Sequence, residues 1–158
     1  ITFVSKSSNV LNLAWFELSD FSERSEVHSR IAASEYSDQK GTEFGTSDNM
    51  NSFHPSDYIT YANVNFGPAG TTDLILVEYA KGNTGGRVEV WLDGTDGTLI
   101  GEFRPNKTGG WWNWEEAKIA LSADVSGIHD LTFLAKGSNT VMNMAWFELS
   151  NMSENVRD

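Results

Sequence analysis

Apolar and polar residues alternate with a period of two through much of this 158-residue chain. In residues 87–92 (RVEVWL), Val88, Val90 and Leu92 fall on one side, and Arg87, Glu89 and Trp91 on the other. That pattern marks a strand with one face in a core. Comparable runs occupy 58–66 (YITYANVNF), 73–81 (DLILVEYAK), 98–103 (TLIGEF), 114–121, 128–136 and 140–149. A first strand is expected at 30–36. Turn clusters separate the runs: Gly67-Pro68-Ala69-Gly70, Gly82-Asn83 and Asp93-Gly94-Thr95-Asp96-Gly97. Few segments carry a helical period. About eight or nine short strands between turn signals predict an all-β fold, a β-sandwich of jelly-roll type.

One strand pattern occurs twice. Residues 1–23 align with 131–154 across a single gap and share the run AWFELS, with Trp15 matching Trp146. An offset of about one domain length predicts tandem homologous modules. Residues 1–19 are read as a remnant of the last strand region of a preceding module. Residues 20–30, polar and aperiodic, are read as a linker, 31–150 as the complete module, and 151–158 as a linker or tail. The repeated segment has two readings: it lies loosely beside the module, or it competes for the module's own last-strand slot, within or between molecules.

The formal net charge is −11, and there is no cysteine. A surface this acidic repels nucleic acid and anionic membranes, so neither is an expected partner. Without thiols there is no disulfide framework and no thiolate metal site. No apolar run reaches the length of a membrane-spanning helix.

Catalytic signals are absent. His28, His54 and His129 are far apart in sequence, and no P-loop, HExxH or GxSxG occurs. Glu115 and Glu116, adjacent on a strand, would face opposite sides and could not act as a catalytic pair. The chain is therefore not expected to be an enzyme.

The strongest local signal is residues 108–114, TGGWWNW. Alternation turns Trp112 and Trp114 one way, where both could enter the core, and leaves Trp111, next to the glycines, as the exposed indole. Flat exposed aromatics suit the C–H faces of sugar rings. A second signal is Asn143, between Met142 and Met144. Its amide either bonds a neighbouring loop or faces a ligand, since it both donates and accepts.

With these motifs in order, the chain resembles family 6 carbohydrate-binding modules, jelly-roll modules of polysaccharide-degrading enzymes. IAASEY (31–36) is similar to the family's opening IEAEDY strand, Gly41-Thr42-Glu43 to GVQ/GVE, and SDYITY (56–61) to GDW(L/I)xY. GTDGTLIG (94–101) is similar to the hairpin ending GTLIG, 108–114 to TGGWQxW, and NMAWFEL (143–149) to NLNWFEF.

The resemblance implies a loop-end cleft in which a sugar ring lies between two aromatics. Carried over, the cleft Trp is Trp111, the amide Asn143 and the acid Glu43. The family's partner Tyr falls on Ser52, with Phe53 one place later. Either the loop shifts and Phe53 stacks on the ligand, or Phe53 is core and only one aromatic remains. The resemblance also implies a structural calcium, at positions occupied here by Ala32, Ser34 and Ala145. Those side chains offer one hydroxyl, so this calcium site is expected to be absent or degraded and no cofactor is required. The expected function is non-catalytic binding of a polysaccharide, a β-glucan such as β-1,3-glucan (laminarin). The module would belong to a secreted glycoside hydrolase and work beside its catalytic domain and a tandem module. The alternative is a structural or protein-interaction sandwich with a decayed sugar site.

Overall fold

The computed structural model describes residues 28–45 and 47–153; the predicted remnant 1–19 and most of the predicted linker lie outside them. Eleven strands occur in order: β1 (Arg30–Ala32), β2 (Asp38–Lys40), β3 (Glu43–Phe44), β4 (Met50–Phe53), β5 (Tyr58–Asn65), β6 (Leu74–Lys81), β7 (Arg87–Leu92), β8 (Thr98–Phe103), β9 (Gly110–Ala120), β10 (Ile128–Lys136) and β11 (Met142–Ser150). They form two antiparallel sheets. One runs β3-β4-β11-β6-β9, with β1 also paired to β11; the other runs β2-β5-β10-β7-β8. The pairings join strands distant in sequence or across tight hairpins, as a β-sandwich of jelly-roll type requires.

Strand β7 follows the alternation, whereas β6 and β11, inside their sheet, are buried at nearly every position. Val88 and Val90 are fully buried and Leu92 nearly so, facing the core between the sheets. Tyr61, Phe133 and Phe147 meet edge-to-face at its centre, with centroids 4.7–6.1 Å apart. The Tyr61 hydroxyl donates to the Ala33 carbonyl at 2.9 Å, so the aromatic cluster buries no unpaired phenol.

The expected first strand, 30–36, is shorter than its pattern. It ends at Ala32, where Glu35 N–H donates to the Ala32 carbonyl (3.0 Å) and the Glu35 carboxylate accepts from Ala32 N–H (2.8 Å). This local turn outcompetes the ladder. Arg30 pairs with Glu148 in the register of β1 and β11, and its guanidinium lies 3.5 Å from the Trp146 ring centroid. Ordered pairing thus begins inside the segment expected as linker. The two- to four-residue strands β2, β3 and β4 had no readable alternation.

Three irregularities shape one end of the molecule. Between β6 and β9, Ala80 pairs with Trp114 but Lys81 pairs with Gly110, leaving residues 111–113 without partners on β6. Between β4 and β11, Met142 pairs with Phe53 and Met144 with Met50, so Asn51 and Ser52 together face Asn143. Ser52 accommodates this bulge with φ of 58°. Lys81, fully buried, reaches across with its ammonium to the carbonyls of Gly85 and Val141, tying two loops at the same end. Burial lowers its pKa below the usual lysine value.

Candidate functional site

The TGGWW segment is held by its threonine. Thr108 N–H donates to the Lys81 carbonyl (3.0 Å), while its hydroxyl accepts from Lys81 N–H (2.9 Å) and donates to the Gly110 carbonyl (3.0 Å). Gly109, at φ of 91°, takes the left-handed turn that a side chain would resist. The unpaired residues 111–113 then leave the strand line. Trp111 packs its indole against the backbone of Gly82, so closely that a Cβ there would sit 2.6 Å from Nε1. Gly82 is what lets the ring lie down.

Asn143, only 4% exposed, holds the opposite side together. Its Nδ2 donates to the Trp111 carbonyl at 2.8 Å, and its Oδ1 accepts from Ser52 N–H at 3.1 Å. Of the two roles open to this amide, the structural bond is present, and it fixes Trp111 relative to β4. One N–H and one lone pair remain beyond these bonds.

Between these elements lies a cavity of about 400 Å³, lined by Glu43, Asn51, Ser52, Trp111, Trp112, Thr140 and Asn143. Three residues expected from the sequence, Trp111, Asn143 and Glu43, are brought together there. Glu43 stands exposed on β3, opposite Asn51 on β4. The Asn51 Oδ1 is buried without a hydrogen-bond partner among the described residues, an acceptor left over at the cavity wall. The arrangement offers an indole face on one side and amide, hydroxyl and carboxylate groups on the other.

Phe53 does not join them. Its side chain is fully buried in the core, and its carbonyl accepts from Val141 N–H at 2.7 Å. The β4 bulge turns Ser52, not Phe53, to the cavity, so the reading of Phe53 as a stacking residue is corrected: that wall carries no aromatic. A second correction concerns the tryptophans. Trp112 and Trp114 do share a side, meeting edge-to-face with centroids 6.2 Å apart, but that side is not the core. Trp112 is 61% exposed, and Trp111 is half-buried. The physical cause is that β9 is an edge strand and bulges where these residues occur. Trp112, Asn51 and Thr140 were not singled out from sequence as ligand-facing, and of these only Trp112 carried a signal, its place in the Trp cluster; Ser52, where the resemblance puts the partner Tyr, does reach the cavity but without an aromatic ring.

The positions where the resemblance implies calcium do not fit that ion. Ala32 and Ala145 supply methyl groups, and the Ser34 hydroxyl is engaged with Asp48 Oδ1 at 3.1 Å. No trio of His, Asp or Glu with metal-holding geometry occurs among the described residues.

A second concavity, of about 360 Å³, lies on the five-stranded sheet beside Asp38, Tyr58, Asp93 and Asp130. Its chemistry differs. It contains no Trp, and the Tyr58 hydroxyl is spent on Asp38 at 3.0 Å, a bond that with the Asp38 charge raises the phenol's pKa. His129 bridges Asp93 (2.9 Å) and the Ser126 carbonyl (3.0 Å) nearby.

Residues 31–151 match the family described as Carbohydrate binding module (family 6). An arabinoxylan arabinofuranohydrolase of Paenibacillus polymyxa is 31% identical over 111 residues, 68% of this chain but 17% of that enzyme. Among solved structures, a family 6 carbohydrate-binding module of Clostridium cellulolyticum in complex with xylose is 34% identical. It superposes with a TM-score of 0.72, over 78% of this chain and 98% of that one. A β-1,3-glucan-binding module of the same family from Bacillus halodurans is 27% identical, with a TM-score of 0.71 over 78% and 96% of the two chains.

Proposed function

The chain belongs to family 6 of the carbohydrate-binding modules, a family that binds carbohydrate without cleaving it, and from that premise we propose that its ligand is a β-glucan of the β-1,3 type. The glycan is taken up in the cavity bounded by Trp111, Asn143 and Glu43. The observation that carries this reading is the pairing of an indole face, pressed flat on Gly82, with the carboxylate, amide and hydroxyl groups of the opposite wall. A pyranose ring presents the complement of that pair: apolar C–H bonds on its faces and hydroxyls at its rim. Asn143 acts chiefly by holding Trp111 in place, and Glu43 by accepting hydroxyl hydrogen bonds. The calcium-like position does no work in binding, and no cofactor is needed.

The β-1,3-glucan assignment is supported by the Bacillus halodurans module. Xylan is the competing ligand, favoured by the xylose complex of the Clostridium cellulolyticum module and by the arabinoxylan-acting relative. In the parent protein the module serves a secreted glycoside hydrolase, holding its catalytic domain on the polysaccharide. The repeat of AWFELS supports a tandem second module, whose effective concentration would strengthen binding to a polymer.

The test is affinity electrophoresis and intrinsic Trp fluorescence against laminarin, xylan, barley β-glucan and agarose. Binding to laminarin, lost by at least about tenfold in Trp111→Ala, is expected. Retention by xylan alone would replace the ligand. No response to any glycan would favour a sandwich with a decayed sugar site, for which the missing aromatic at Ser52 and Phe53 speaks.

A further inference from the structure

Neighbouring residues of a regular strand point to opposite sides. Trp111 and Trp112 do not: both line the same cavity, because residues 111–113 have no partners on β6 and the alternation lapses there. Trp112 keeps 61% of its surface in water, the largest exposure among the exposed large apolar side chains described. Its ring is nevertheless positioned, edge-to-face with Trp114 at 6.2 Å and 69°. Trp114 in turn is half-buried and paired opposite Ala80. An indole held in place by a second indole, yet left largely uncovered on an edge strand, is a preformed surface for a flat apolar partner. The opposite wall provides no such surface, since Ser52 is small and Phe53 is fully buried.

We propose, resting on the carbohydrate-binding reading above, that Trp112 is a second stacking platform beside Trp111. The site then reads at least two successive sugar units of a glycan chain, both aromatics lying on one side, and does not pinch a single ring between opposed aromatics. The ligand class is an extended oligosaccharide of contiguous pyranose units with accessible C–H faces. The polar wall of Glu43, Asn51, Ser52 and Thr140 meets hydroxyls along the chain.

The experiment compares wild type, Trp111→Ala, Trp112→Ala and Trp112→Phe with two ladders, β-1,3-gluco-oligosaccharides and β-1,4-xylo-oligosaccharides of one to six units. NMR titration covers the short members and calorimetry the long ones, and thermal unfolding verifies that each variant is folded. Trp112→Ala is expected to lose about tenfold more affinity for the hexasaccharide than for the monosaccharide, with Trp112→Phe recovering most of the difference. Trp111→Ala is expected to lose affinity at every length. Equal losses for Trp112→Ala at all lengths, or none at any, would overturn the proposal while leaving the carbohydrate reading intact. A wild type that binds neither ladder, with Trp111→Ala indistinguishable from it, would overturn both.

Discussion

Gly82→Ala isolates the support beneath the stacking face. The added Cβ would lie 2.6 Å from Trp111 Nε1, 2.8 Å from Cε2 and 2.9 Å from Cδ1. Carbon contacts settle near 3.5–4.0 Å, so the ring must retreat by about 1 Å. Asn143 holds the Trp111 backbone through its carbonyl at 2.8 Å, so the indole has to turn about its own side-chain torsions, and three atoms of one rigid ring are struck together. Such overpacking costs about 1–3 kcal/mol. Spent on displacing the stacking face, that is roughly a tenfold to hundredfold loss of affinity. Stability is expected to change less. Gly82 has no positive φ, so alanine fits the backbone, and its smaller unfolded-state entropy returns about 0.4–1 kcal/mol. Calorimetric titration with laminarin oligosaccharides, beside thermal unfolding and Trp emission spectra, separates the two effects. Wild-type affinity with an unshifted emission spectrum would refute the reasoning, because it would mean that Trp111 does not rest on Gly82.

Asn143→Ala should both weaken binding and lower stability by roughly 2 kcal/mol, since the Trp111 carbonyl and Ser52 N–H lose their partner; Glu43→Gln, on an exposed side chain, should weaken binding with unfolding within about 0.5 kcal/mol of wild type. Equal behaviour of the two variants in calorimetry and thermal melts would contradict the division of roles. EDTA should leave both Tm and glycan affinity unchanged, and a calcium-dependent rise in Tm lost on Ser34→Ala would count against the misfit described for Ala32, Ser34 and Ala145. Asp93 has its carboxyl pKa lowered, first by the hydrogen bond from His129, so its contribution is present above the ordinary aspartate pKa and is lost as pH falls through the lower folded value. Asp93→Asn should therefore flatten the acid limb of the Tm–pH curve by less than about 1 kcal/mol, the side chain being largely exposed; a steeper limb would invert the sign.

The apolar runs determined where the long strands β5 to β8, β10 and β11 lie, and on β5 and β7 the alternation also marked the face that is buried, because a one-residue slip would turn the apolar side to water; β6 and β11 are buried at nearly every position, and alternation decided no face there. The ordered motifs determined the family and singled out Trp111, Asn143 and Glu43, since those side chains belong to short recognisable segments. What the sequence left open was decided at irregularities. A one-residue shift exchanges the faces of a strand, so whether Ser52 or Phe53 met the cavity depended on the bulge opposite Asn143. Likewise, the unpaired residues 111–113 turned Trp112 outward beside Trp111, where regular alternation left it free to enter the core with Trp114. The Asn143 bond to the Trp111 carbonyl spans 32 positions of sequence, and the Gly82 seat lies on a different strand end altogether. Local pattern reports the period of a segment, but a bulge is set by the partner strand across it, and so the shape of the site was settled only when distant strands were brought into register.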